Sequence, residues 1–324
     1  MEFTFLGSSA GTPTRSRNVT ALALGPRGPK PWYLVDCGEA TQHQLLRSRY
    51  SVMQLKAIFI THIHGDHIFG LPGLLTSASM LGREEPLDLI APPQVGRFIQ
   101  AAIENSDSSL SFSLNLINSE AEGFQWQDEY FSVTAVPLSH RVPCRAFVFT
   151  ERNLERQLQQ DKLRANGIEA GPEWGDLQKG KDVQLADGRL LKADDYTCIP
   201  RAPRKLIVAG DNDTPDLLAD ACQGAQVLVH EATYTQDVAE RVGPWPQHSS
   251  AEQVARFARQ AQLPNLVLTH FSSRYQSGTE GTPNINQLAA EALRHYKGQL
   301  FLARDFDTYR LEKDFTLHRL ENSG

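Results

Sequence analysis

The 324-residue chain is poor in cysteine: Cys37, Cys144, Cys198 and Cys222 stand far apart, with no C-x-x-C pair. That excludes a dense disulfide framework and fits a reduced, cytoplasmic protein. No apolar run approaches 18 residues, so no membrane-spanning helix is expected. The opening MEFTFLG has no basic stretch followed by an apolar one, so no signal peptide is expected. Positive charge is in deficit, 32 Lys/Arg against 38 Asp/Glu for a net of −6, so the basic footprint common among nucleic-acid binders is missing from the sum. Internal repeats and low-complexity tracts are absent too. What remains is ordinary globular composition, 40% hydrophobic and 22% charged, in a chain long enough to build its core without covalent staples.

Short apolar runs recur along the chain and read as strands: Phe3–Leu6, Val19–Leu24 and Trp32–Val35 around a Gly/Pro turn, Ala57–Ile60, Leu87–Ile90, Ser132–Val136 and Ala146–Thr150. Asn153–Ala165 reads as a polar helix, and polar, Gly-containing sequence continues to about Ala202 with little core of its own. Residues 151–206 hold 11 Lys/Arg and 10 Asp/Glu, a net of +1, so the negative excess lies elsewhere. Strands then resume at Leu206–Ala209, Val227–Val229, Leu266–Thr269 and Leu300–Ala303, interleaved with helices over Ser250–Gln262 and Gln287–Tyr296. This alternation predicts a layered α/β fold. His62, Asp211, His230 and His270 each follow a strand, where such folds gather their chemistry.

His62, His64, Asp66 and His67 form an H-x-H-x-D-H run. Two histidines spaced by two in an extended turn can point one way, and the next turn can serve a second ion, with Gly65 giving room to bend. Imidazole and carboxylate ligands suit zinc. Four residues cannot complete two ions. His140 in PLSH, Asp211 in AGDND and His270 in LTHFSS would supply a further His, a bridging carboxylate and a terminal His.

The run resembles the signature of the metallo-β-lactamase superfamily, and Asp36 in LVDCGE, His140, Asp211 and His270 follow its order. The resemblance implies an αββα four-layer sandwich of two mixed sheets flanked by helices, spanning 1–324 as one domain. It assigns His62, His64 and His140 to one zinc ion and Asp66, His67 and His270 to another. Asp211 would bridge the two, and Asp36 would orient a ligand histidine. Other divalent ions such as Mn2+ could replace zinc.

FLGSSAGTPTRSRNVT, DCGEATQHQL, THIHGDHIFGLPGLL, HEATY and HSS are similar to segments of the short-form ribonuclease Z family, which processes tRNA 3′ ends. That resemblance makes the insert, about 151–200 with Gly171–Pro172, a flexible arm that grips tRNA. It implies a homodimer in which one subunit's arm serves the other's site. Asp66 would orient a zinc-bridging hydroxide and accept its proton. His248 would act as general acid held by Glu231, and cleavage would leave a tRNA 3′-hydroxyl. Read without the resemblance, His248 is an exposed loop histidine after Trp245–Pro246. Arg15, Arg17 and Asn18, and Ser272, Ser273 and Arg274, are candidate RNA contacts. The chain departs from the family at Asn212, commonly Thr, at Ala40, commonly Gly, and in HSS for HST. The ligands barely discriminate this activity from hydrolysis of a thioester, lactone or small phosphodiester on the same scaffold. A catalytically silent RNA-binding scaffold is a third alternative, one that should lack ligands.

Overall fold

The computed structural model describes residues 1–28, 30–276 and 283–321. Two mixed sheets carry the main body. The larger has eight strands in the order Leu317–Leu320, Thr308–Leu311, Glu2–Gly7, Ala21–Gly25, Trp32–Val35, Leu55–Phe59, Leu87–Ala91 and Leu114–Asn118. The other has seven: Gln299–Leu302, Asn265–Thr269, Val227–Glu231, Lys205–Ala209, Cys144–Glu151, Phe131–Leu138 and Gln125–Gln127.

Side-chain alternation explains the layers. On Leu55–Phe59, Ile58 and the following Ile60 enter an aliphatic cluster with Leu71, Leu74 and Leu75 of helix Leu71–Met80. Phe59 points the other way, its ring 5.2 Å from Phe147 and 5.1 Å from Phe149. An aromatic layer thus lies between the sheets, continued by Phe3 stacked on Tyr309. The second sheet covers its outer face with helices Ala251–Gln260 and Ile285–His295, whose Val254, Ala258, Leu288 and Ala292 meet Ile207, Leu228 and Leu266. Helix, sheet, sheet, helix is the four-layer sandwich that the sequence resemblance implied.

Both outer helices of the second sheet open on capping boxes, Ser250 with Gln253 and Asn284 with Gln287. The Asn284 box starts the last helix at Ile285, two residues before the periodicity alone placed it. The helices Leu71–Met80 and Pro93–Asn105 escaped the sequence reading because Pro and Gly mark their starts. Proline in the first turn leaves no intrahelical donor missing. No helix among the described residues is long and apolar enough to cross a membrane.

A second compact unit comprises Asp128–Phe131 and Glu151–Pro203. It has a core of its own, Leu163, Ile168, Trp174, Leu177, Leu191 and Ala193, against the expectation of little core. Few apolar residues suffice because they converge from three short helices and a strand. The expected helix Asn153–Ala165 is confined to Gln160–Ala165, since Gln157–Leu158 is extended and pairs with Thr197–Cys198.

Ala40 sits in left-handed backbone, φ 58°, at the start of helix Thr41–Leu46. An L-residue there is disfavoured by roughly 1–2 kcal/mol, while glycine adds less than about 1 kcal/mol of unfolded-state entropy. Ala40→Gly is therefore expected to stabilise the protein by about 0.5–1 kcal/mol, read as a raised urea midpoint.

Candidate metal centre

The ends of neighbouring strands deliver the candidate ligands. His62 follows Leu55–Phe59, Asp211 follows Lys205–Ala209 and His270 follows Asn265–Thr269. Gly210 lets two of these ends meet, because a Cβ there would lie 2.6 Å from Cys144 Sγ and 2.7 Å from Thr61 Cβ. Gly65 is not in left-handed backbone. It is small because the Phe69 ring lies over it, 2.2 Å from where a Cβ would stand.

Seven side chains converge in two quartets that share Asp211. In the first, His64 Nδ1 lies 3.1 Å from His62 Nε2 and 3.0 Å from His140 Nε2. Asp211 Oδ2 is 3.6 Å from His62 Nε2 and 3.7 Å from His140 Nε2. In the second, His67 Nε2 lies 3.6 Å from Asp66 Oδ2 and 3.5 Å from Asp211 Oδ1. His270 Nε2 is 3.5 Å from Asp66 Oδ2 and 3.3 Å from Asp211 Oδ1. Ligands about 2.0–2.1 Å from a tetrahedral zinc ion are separated by about 3.3–3.4 Å. Both quartets match that spacing.

The polar atoms themselves call for cations. The Nε2 atoms of His67 and His270 are buried and have no hydrogen-bond partner. Such orphans are rare and costly. The opposite ring nitrogens are tied back, which aims the free ones inward. His67 Nδ1 meets Asp36 Oδ2 at 2.7 Å, His140 Nδ1 the Gln247 carbonyl at 3.0 Å, and His270 Nδ1 the Thr233 hydroxyl at 3.1 Å. Asp36 also accepts from the Thr61 amide at 2.8 Å, and Thr61 Oγ1 lies 3.0 Å from His62 Nδ1. Burial holds His62 well below the ordinary imidazole range and His64 down at about 4, so both are neutral, ligand-ready rings. Burial opposes charge on His67 as well, but Asp211, Asp66 and Asp36 overcome it and hold its proton more tightly. Divalent cations are what this set of histidines and carboxylates can hold.

Beside the quartets, His248 Nδ1 is 3.1 Å from both oxygens of Glu231 and 3.8 Å from Asp211 Oδ2. Burial acts against the charged ring, yet the Glu231 carboxylate raises it to about 9, so the ring carries a proton at neutral pH. Glu231 is anchored by the Asn212 amide at 2.7 Å and by the Thr233 hydroxyl. The Gly11 amide reaches across to Asp66 Oδ2 at 2.7 Å.

Other residues singled out in the sequence lie elsewhere. His230 turns away from the metal-type cluster, because successive strand residues face opposite ways, and its Nε2 meets Asn212 Nδ2 at 3.1 Å. Arg17, expected among the RNA contacts, is buried, donating to Ser8 Oγ and the Ala303 carbonyl, both at 2.8 Å, over the Phe271 ring. Asn18 is half-buried, its amides committed to Asp305 and the Glu39 carbonyl. Arg15, Ser273 and Arg274 are exposed, Arg274 lying over the Tyr234 ring. Gly171 and Pro172 are exposed at the start of helix Pro172–Gln178 within the second unit. Thr61, Thr233 and Ser249 were missed. Each stands next to or near a ligand or His248, but a hydroxyl in a turn carries no signal of its own.

The chain is similar to known proteins. A family model described as "Anti-Pycsar protein Apyc1" matches residues 1–153. The chain is 79% identical over 323 residues to a ribonuclease Z of Marinobacter nauticus, with 100% of both chains covered. It is 54% identical over 314 residues to a ribonuclease Z of Pseudomonas putida, covering 97% of this chain and 98% of the relative. Among solved structures, human tRNase Z, short form (ELAC1), aligns with a TM-score of 0.65 at 27% identity, over 96% of this chain and 100% of that one.

Asp36→Asn keeps every candidate ligand but weakens the acceptor that aims His67. Metal affinity is expected to fall roughly 10–100-fold, measured by competition with a chromogenic chelator.

Proposed function

The chain belongs to the ribonuclease Z family, and from that premise we propose how its residues divide the work of cleaving precursor tRNA. It is a metal-dependent endoribonuclease that processes tRNA 3′ ends. The metals we propose are two zinc ions: His62, His64, His140 and Asp211 would hold one, and Asp66, His67 and His270, with Asp211 beside them, would hold the other. When bound, zinc supplies positive charge against the phosphate oxygens and makes water a nucleophile near neutral pH.

The chain's own residues do the rest. Asp66 orients the attacking water and accepts its proton, with the Gly11 amide steadying the carboxylate. His248 gives its proton to the departing 3′-oxygen, which leaves the tRNA with a 3′-hydroxyl and the trailer with a 5′-phosphate. Glu231 holds that ring in line and keeps it charged. The single observation carrying this division is the placement of the His248–Glu231 pair beside the carboxylate shared by both quartets, with His248 Nδ1 3.8 Å from Asp211 Oδ2. Exposed Arg15, Ser273 and Arg274 are proposed phosphate contacts, and the unit containing Gly171 and Pro172 the tRNA-gripping arm. We place the enzyme in the cytoplasm, in keeping with its four free cysteines, and as a homodimer, with each arm serving the partner's site.

Three outcomes test this. Wild type should remove the 3′ trailer from a precursor tRNA on a denaturing gel, and His64→Ala should not. A wild type that hydrolyses a thioester but ignores the RNA would defeat the substrate assignment. Activity should fall as pH rises through the His248 pKa, because only the protonated ring donates. Glu231→Gln removes the charge that raises this pKa, so the fall should move to lower pH in single-turnover profiles. An unmoved limb would remove His248 as the donor.

Thr150 pairs with Lys205 in adjacent antiparallel strands, so a short turn can replace residues 152–203. That variant should lose far more activity on precursor tRNA than on a small phosphodiester. Mixed with His64→Ala subunits it should regain RNA cleavage, whereas no regain would refute service across the dimer.

A further inference from the structure

A cleft of about 300 Å³ opens beside His248, and the His248 ring forms part of its wall. A volume of this size holds a small ligand, or one ring system of a larger one. Asp213, Tyr234, Gln236, Glu240 and Gln247 line it with His248, and its lining among the described residues holds no lysine or arginine. Two carboxylates without a lining cation repel a phosphate, so the charge of the cleft disfavours the nucleic-acid backbone. An aromatic ring and hydrogen-bond acceptors are what an unstacked base takes instead.

The aromatic ring is firmly placed. The Tyr234 carbonyl accepts from the Ala251 amide at 2.9 Å, and Tyr234 pairs with Ser250 in a parallel bridge. Its backbone is thereby tied to the start of helix Ala251–Gln260. The half-buried ring is nearly perpendicular to that of His248, with centroids 6.1 Å apart, and the Arg274 guanidinium lies over it, 5.1 Å from its centroid. A ring held in this way loses little freedom when a base stacks on it.

The chemistry of the cut decides which base is in reach. A proton donor must come within about 3.2 Å of the oxygen it protonates. That oxygen is the ribose 3′-oxygen of the last nucleotide kept in the tRNA. Its ribose therefore lies against the His248 ring, and the base on the same ribose is the one beside the cleft. The first trailer nucleotide keeps the phosphate and departs with it.

We propose that the cleft is the subsite for the base of the last retained nucleotide, with the Tyr234 ring stacking on that base. The subsite deepens the tRNA reading above and rests on His248 as donor to the 3′-oxygen.

The test is a double-mutant cycle between ring and base, run on the zinc-loaded enzyme. Precursor tRNAs carry an abasic ribose either at the last retained position or at the first trailer position. kcat/KM is read on these and on the intact precursor for wild type, Tyr234→Phe and Tyr234→Leu. Stacking of a base on an aromatic ring implies a loss of about 5–150-fold when either partner is removed. Wild type should lose that much on the precursor abasic at the last retained position, and Tyr234→Leu should lose it on the intact precursor. With that base absent, Tyr234→Leu should lose less than about 2-fold more. Tyr234→Phe, which keeps the ring, should follow wild type throughout. If Tyr234→Leu does not fold, wild type alone decides: its loss at the last retained position should exceed that at the first trailer position by at least about 5-fold. Losses that simply multiply, in a wild type active on the intact precursor, would overturn the subsite and leave the reading of His248 standing. Coupling of Tyr234 to the first trailer base would overturn both, because the departing strand would then occupy the His248 side. Wild type inactive on the intact precursor would overturn the substrate reading on which both rest.

Discussion

One carboxylate organises the site. Asp211 points Oδ1 at His67 and His270 and Oδ2 at His62 and His140, so the two quartets are a single object rather than two sites side by side. Its burial would be prohibitive without compensating positive charge. The surrounding structure is arranged to keep it there: Gly210 brings its strand end against Thr61 and Cys144, and Asn212 clamps its other flank. Asp36 and His270, with φ of 59° and 55°, hold left-handed backbone beside it. Non-glycine residues adopt such conformations only where surrounding contacts over-determine them.

The layered fold explains why chemistry can be concentrated in this way. Strands whose alternate residues fill an aromatic layer and an aliphatic layer leave no freedom of register. Their ends are therefore fixed in space, and loops only a few residues long inherit that precision. His62, Asp211 and His270 each lie within three residues of a strand end. Rigid placement suits electrostatic catalysis, in which charged groups must be oriented before the reaction begins.

Much of this was legible in the amino-acid order. The dense H-x-H-x-D-H run and the histidines and aspartate at strand ends are residue types that ordinary packing seldom gathers, and the structure brings those seven side chains together. What escaped was whatever depends on direction rather than identity. Arg17 reads as a solvent-facing charge next to Arg15, yet its stem is folded over Phe271. His230 reads like His62, but one residue of strand alternation turns it toward Asn212. The insert looks coreless because its apolar residues are scattered along the chain, and only the chain's path gathers Leu163, Trp174 and Leu191. Asn212 registered as a family departure, while its contacts with Ser139, His230, Glu231 and Ser249 come from three distant segments that no local window contains.

The insert's place at the tip of a hairpin bears on how freely it can vary. Closing a loop becomes harder only logarithmically with its length. Widening a two-residue turn between Thr150 and Lys205 to some fifty residues therefore adds about 3 kcal/mol of closure entropy. A small core inside the loop offsets part of that by restricting its own chain. The strands on either side still carry only one pair of crossings, whatever lies between them. Lengthening, shortening or exchanging the unit leaves the topology that holds Asp211 untouched, so the size and surface of the insert can drift while the geometry of the seven clustered side chains stays constant.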